Sequence, residues 1–193
     1  MARSLRADAE RSMRSILEAA ERVLSVQPGA SLEQIAEAAG VARTTVHRRF
    51  ANRQALVDAL ALAAAAQLRE AVDAAHPDTA PPLIALHQAT ANVLRTKRNW
   101  RFALELANTP GSAAFAEQEA LAQRCVGLLG RARDQGLLAP DTDLEWTRRV
   151  YYALIGESIH GHTFGNLDGS EEDPDTLAGR IIDTVIYGAG PRR

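Results

Sequence analysis

The chain has 193 residues, enough for one large or two small helical domains with cores of their own. Alanine is abundant, aromatics make up 5% and no strand-turn-strand alternation appears, so nothing points to a sheet. A single cysteine, Cys125, excludes an intramolecular disulfide and fits a reducing compartment, and the net charge of −2 conceals an uneven distribution: residues 1–53 hold nine Arg against six carboxylates.

The periodicity predicts an all-α chain of about nine helices, near 8–26, 31–39, 43–49, 53–75, 81–98, 100–108, 113–136, 142–163 and 174–188. Pro28-Gly29, Gly40, Pro81-Pro82, Pro110-Gly111, Gly136 with Pro140, and the stretch from Gly165 to Pro174 break the pattern. In the first helix Ile16, Leu17, Ala20, Val23 and Leu24 recur at three- and four-residue steps. Asp8, Glu10, Glu18 and Glu21 spoil both a signal peptide and an acid-poor transit peptide, and no apolar run reaches the roughly 18 residues of a membrane span. A cytoplasmic chain without a membrane partner is expected.

The segment Ser31–Phe50, SLEQIAEAAGVARTTVHRRF, carries the strongest signal. Ser31 with Gln34 three residues later makes a capping box, Leu32, Ile35, Ala36 and Ala39 form one apolar face, and Gly40 suits a sharp turn. Beyond the turn, Val46 and Phe50 stack on an anchoring face, leaving Arg43, Thr44, Thr45, His47, Arg48 and Arg49 to point elsewhere. Guanidinium groups match guanine edges or phosphates, and threonine can meet a phosphate or a thymine methyl, so such a helix suits the major groove of DNA. An amphipathic hairpin with solvated arginines has the same composition.

The run from Ser31 to Leu56 resembles the signature of the TetR family of transcriptional regulators, through Ser31, Ile35, Ala36, Ala39, Gly40, Val41, Phe50, Arg53 and Leu56. Three positions depart from the usual pattern: His47 stands where a tyrosine is commonest, Ala42 where a capping serine is frequent, and Arg53 where lysine is frequent. An imidazole at 47 makes that phosphate contact weaken as the pH rises. The resemblance implies a helix-turn-helix DNA-binding domain over residues 1–53 and a larger helical ligand-binding and dimerisation domain over 54–193. It implies a ligand-responsive regulator, a repressor, that binds a palindromic double-stranded DNA operator as a homodimer and answers a small-molecule effector. Arg43, Thr44, Thr45 and Arg48 are expected at bases, and Ser31, His47, Arg49 and Arg53 at phosphates.

After Arg53, Leu56, Leu60, Ala64, Leu68 and Val72 lie along one helix that begins beside the reader and runs onward, a natural coupling rod. A ligand pocket is expected among His87, Trp100, Phe102, Leu104, Phe115, Trp146, Tyr151, Tyr152, His160 and Phe164, residues that equally suit an ordinary core. Arg98, Arg101 and Glu105 are candidates for a polar ligand end. Leu177, Ile181, Ile182, Val185 and Ile186, with Leu144, Tyr151, Leu154 and Ile155, make faces broader than one core requires, which points to a homodimer interface or to a helix fully buried in a monomer. Lys97 is the only lysine, a bias that fits a GC-rich bacterial genome.

No metal, cofactor or catalytic residue is expected. His160 and His162 project about 200° apart on a helix and cannot share an ion there, and the sequence has no P-loop, dinucleotide fingerprint, H-E-x-x-H or G-x-S-x-G. The competing reading is a helical-bundle enzyme or a metal- or cofactor-binding protein using Glu157, His160 and distant carboxylates.

Overall fold

Local capping chemistry cuts the chain into helices. The computed structural model describes the backbone of residues 2–160 and 172–188, and side chains over 10–159 and 172–188. Among these residues it contains nine α-helices and no strand: α1 (Ala2–Val26), α2 (Leu32–Ala38), α3 (Arg43–Arg49), α4 (Arg53–Asp73), α5 (Pro82–Asn99), α6 (Arg101–Leu106), α7 (Ala113–Asp134), α8 (Leu144–His160) and α9 (Pro174–Tyr187). The expected end of α8 at 163 lies outside the described residues.

Side-chain oxygens start several of these helices by accepting early backbone N–H groups. Asn52 accepts from Ala55 at 2.9 Å, Ser112 from Phe115 at 3.0 Å and Asp143 from Trp146 at 3.0 Å. Asp173 accepts from Asp175 and Thr176 ahead of α9, whose first residue is Pro174. Among the helices that end on glycines with positive φ are α2 at Gly40 (+67°) and α7 at Gly136 (+76°). At these two the next N–H reaches back, Val41 to the Ala36 carbonyl (3.0 Å) and Leu137 to that of Ala132 (2.9 Å), which satisfies the orphan carbonyls of the last turn.

The chain forms two compact units, Met1–Ala66 with Trp100–Ala116, and Gln67–Asn99 with Glu117–Arg193. In the first, α1 packs on α2 and on α6, and α2 packs on α3. Ile16, Leu24, Ile35, Val46, Leu56 and Leu60 are fully buried there. The Ser15 hydroxyl donates to the Ala39 carbonyl at 3.1 Å, fixing α1 to the end of α2.

In the second unit α5 packs on α8 and α9 around Leu86, Leu94, Leu128, Leu129, Tyr151, Ile155, Ile181 and Ile182. Thr90 is buried in that core without an unmet polar group. Its hydroxyl donates to the Leu86 carbonyl (2.6 Å) and lies 2.7 Å from the Tyr151 hydroxyl. Arg131 donates to the carbonyls of Pro77 and Ala80, pinning the turn before α5. Among the described residues no helix is long and apolar enough to cross a membrane.

Candidate functional site

The helix-turn-helix is assembled from the sequence upward. The Ser31 hydroxyl accepts the Gln34 N–H (3.3 Å) while the Gln34 side-chain oxygen accepts the Ser31 N–H (2.8 Å), so the capping box is complete. Gly40 turns the chain, and α3 follows with Val46 and Phe50 buried beneath it. Arg43, Thr44, His47 and Arg48 are exposed on the opposite face, with Thr45 and Arg49 half-buried at its flanks. The result is a cationic surface anchored from behind by apolar side chains.

Ala42, at the N-cap of α3, is extended (φ −64°, ψ 142°) and supplies no side-chain bond. Its backbone already has the shape a capping residue needs. Ala42→Ser is therefore expected to raise stability by about 1 kcal/mol, read from the denaturation midpoint at unchanged m-value. No gain would mean that the first N–H groups of α3 are already satisfied.

Besides Ser31 in its capping box, the expected phosphate ligands His47 and Arg53 are engaged within the protein. His47 Nε2 lies 3.0 Å from the Glu33 carboxylate, joining α3 to α2. Arg53 donates from Nε to the Ala30 carbonyl (3.2 Å) and from its terminal nitrogen to that of Pro28, so it braces the loop ahead of α2. Glu33 is a hub missed in the sequence. The Ser31 hydroxyl first, then its own backbone N–H and His47, hold its carboxyl down at about 2.

Because this folded-state pKa lies below the ordinary value of 4.5, the Glu33 contribution is present above that value and is lost as the pH falls through about 2. A carboxyl-carbon NMR titration should place Glu33 near 2, and Ser31→Ala should move it upward. An ordinary midpoint in the wild type would contradict the arrangement.

The first unit also holds a buried carboxylate. Glu21 of α1 is 7% exposed and accepts the N–H groups of Phe102 and Ala103, each at 2.9 Å. Trp100, at the N-cap of α6, makes no side-chain cap bond, so Glu21 does that work from a distant helix. Burial pushes its carboxyl up, against the lowering pull of the two backbone donors.

The second unit contains a cavity of about 120 Å³. Leu68 and Val72 line it from α4, Pro77 from the following turn, and Leu86, Ala89, Val93 and Lys97 from α5. Gln118, Leu121, Arg124, Cys125 and Leu128 face it from α7, and Tyr151, Tyr152 and Ile155 from α8. Burial pushes the Cys125 thiol up to about 12 and raises both tyrosines, so all three are neutral at physiological pH. The Arg148 guanidinium sits over the Tyr152 ring, 5.2 Å from its centroid.

Of the residues expected to form a pocket, Tyr151 and Tyr152 line this one. Trp100, Phe102, Leu104 and Phe115 belong to the first unit, where Leu104 is buried and the other three are half-buried. Trp146 is 63% exposed on α8, and His87 packs near Gly179, its Nε2 3.7 Å from where a Cβ there would lie. The His160 side chain, with His162 and Phe164, lies outside the described residues. Arg98 donates to the Glu172 carbonyl (2.6 Å), and Arg101 pairs with Glu105 (3.8 Å).

Of the expected dimer residues, Tyr151, Ile155, Ile181 and Ile182 are buried in the unit's own core, and Leu144, Val185 and Ile186 are partly buried against it. Large apolar side chains exposed on α8 and α9 are Trp146, Val150, Tyr152 and Tyr187. Among the described residues no group of three or more His, Cys, Asp or Glu is placed to hold a metal.

Comparison with known proteins decides the lineage. Residues 16–60 match the family described as bacterial regulatory proteins, tetR family. The HTH-type transcriptional repressor LfrR of Mycolicibacterium smegmatis is 34% identical over 151 residues, spanning 76% of each chain. This chain belongs to the TetR family. The crystal structure of LfrR in complex with proflavine is similar with a TM-score of 0.67 at 27% identity, covering 94% of this chain and 98% of that one. PfmR, a TetR-family regulator from Thermus thermophilus, gives a TM-score of 0.76 at 18% identity over 91% and 99%, a likeness of fold.

As a TetR-family member the chain is a ligand-responsive transcriptional regulator and not an enzyme, and the alternative of a helical-bundle enzyme or a metal- or cofactor-binding protein is not favoured. The fold expectation, a helix-turn-helix followed by a helical domain, agrees with what is observed.

Proposed function

We propose that two copies of this TetR-family regulator bind one palindromic operator in the cytoplasm, repress transcription there, and release the DNA when a small organic effector enters the α4–α5–α7–α8 cavity. The observation that carries the reading is the exposed cationic face of α3, backed by buried Val46 and Phe50. Residues 1–53 serve as the reading domain and the remainder as the effector and dimerisation domain.

Arg43, Thr44, Thr45 and Arg48 approach bases, while Ser31, His47 and Arg49 meet phosphates. His47 must exchange the Glu33 carboxylate for a phosphate oxygen on binding. Arg53 keeps the Pro28 and Ala30 carbonyls and offers the phosphate its remaining N–H groups. The exposed side chains Trp146, Val150 and Tyr187, with half-buried Leu144, Val185 and Ile186, supply the face for the second copy. LfrR in complex with proflavine supports an organic effector for this chain too.

Capture of chromosomal fragments by the purified protein tests the proposal. Fragments upstream of a small set of genes should be retained, and deleting the regulator should raise transcription of those genes. A fall in transcription would make it an activator, and retention without regard to sequence would contradict operator binding.

A further inference from the structure

Two residues proposed as phosphate ligands, Ser31 ahead of α2 and His47 of α3, turn toward one carboxylate of the protein itself. His47 Nε2 lies 3.0 Å from Glu33 Oε1, and the Ser31 hydroxyl donates to the same carboxyl. A carboxylate oxygen accepts charge-assisted hydrogen bonds from the same donors as a phosphate oxygen. With its carboxyl held down at about 2, Glu33 is an anion throughout the physiological range. The side chains of His47 and Glu33 keep 50% and 41% of their surface exposed, so the carboxylate can swing into solvent without disturbing Val46 and Phe50, the buried anchors of α3.

We infer that Glu33 is an internal stand-in for a DNA phosphate: in the free protein its carboxylate occupies the phosphate place between Ser31 and His47, and DNA must displace it. The inference rests on α3 being the helix that docks on DNA. Docking then exchanges one anion for another at His47, and the displaced carboxylate is left beside a backbone of like charge. Both effects weaken the grip. Their scale is set by exposure, because a solvated ion pair contributes little, so Glu33 should lower DNA affinity about two- to fivefold. Phosphate contacts carry no sequence information, so the factor is common to operator and non-operator DNA. Glu33 thereby sets the strength of binding without taking part in base reading.

Fluorescence anisotropy of the full chain with a labelled duplex of arbitrary sequence, about 30 base pairs or three helical turns long, tests this at low salt. Glu33→Gln should bind about two- to fivefold more tightly than the wild type, and Glu33→Ala repeats the release should the first variant fail to fold. Glu37→Gln removes a charge one turn further along the exposed side of α2 and leaves the Ser31–Glu33–His47 cluster intact, so its gain should be smaller. In a His47→Ala background the gain from Glu33→Gln should fall to that of Glu37→Gln. A gain that survives in His47→Ala, or that Glu37→Gln reproduces in full, would make Glu33 a general repelling charge and overturn its role as a stand-in. Weaker or unchanged binding by Glu33→Gln would overturn it too, and make Glu33 a residue that positions His47 or plays no part. Either result leaves docking by α3 standing. Absence of duplex binding by the wild type, or binding unchanged when Arg43 and Arg48 are both replaced by Ala, would overturn docking by α3 and this inference with it.

Discussion

Replacing Arg48 by Ala is expected to remove about 1–3 kcal/mol of discrimination at one operator base pair, roughly a tenfold to hundredfold loss, with little change in folding stability. Arg48 is exposed on α3, and the residues that hold that helix, Val46 and Phe50, lie on its other face. The fold therefore does not depend on the guanidinium, whereas a guanine edge facing it would lose two parallel hydrogen bonds. Arg48→Lys separates charge from geometry, since lysine keeps the cation but not the planar fork. It should lose most of the preference while leaving the salt dependence of binding intact. Arg43→Ala should act likewise at a neighbouring position. Unchanged sequence preference in both alanine variants, measured by competition against singly substituted duplexes, would remove these arginines from base reading.

The second large effect concerns Glu21. Glu21→Ala leaves the N–H groups of Phe102 and Ala103 without their acceptor in a site that is 7% exposed in the native protein. Orphaned buried donors cost about 1–3 kcal/mol each, so a loss of about 2–6 kcal/mol in urea unfolding is expected, with α6 the first element to lose amide protection. Glu21→Gln keeps one acceptor and should cost less.

The pH dependence supplies an independent check. Burial raises the folded-state pKa of Glu21 above the ordinary 4.5, so its contribution to stability is complete below that value and diminishes as the pH rises through the raised one. Glu21→Gln should flatten that part of the stability profile. A wild-type profile indistinguishable from that of Glu21→Gln would contradict a raised carboxyl.

Much of the helical layout was legible because helix ends are local events. Ser31 with Gln34, Gly40, Gly136 and Pro174 each act on backbone groups a few residues away, and the structure places caps, turns or helix starts at all of them. Glu21 was not legible in this way, because its partners lie 81 and 82 residues further along the chain. A signal did exist. Leu17 and Leu24 flank it at helical spacing and both are buried, so an acid stood on an apolar stripe and required a donor.

The cavity was hidden for a different reason. Leu86, Ala89, Val93 and Lys97 repeat every three or four residues on α5, as do Gln118, Leu121, Cys125 and Leu128 on α7. A helix face that lines a void has the same periodicity as one that fills it, so spacing cannot distinguish them. Of the residues expected at a pocket, Tyr151 and Tyr152 do line the cavity, whereas Trp100, Phe102, Leu104 and Phe115 belong to the first unit. The broad apolar faces of α8 and α9 posed the same problem, since Tyr151, Ile155, Ile181 and Ile182 are consumed by the chain's own core.

Selecting duplexes from a random DNA pool with the wild-type protein tests the central claim most directly. The account predicts enrichment of an inverted repeat whose half-site centres lie one helical turn, about 34–36 Å, apart or a multiple of it, lost when Arg43 and Arg48 are both replaced by Ala. Enrichment of no sequence, or of one that the double variant still selects, would contradict a reader built on α3.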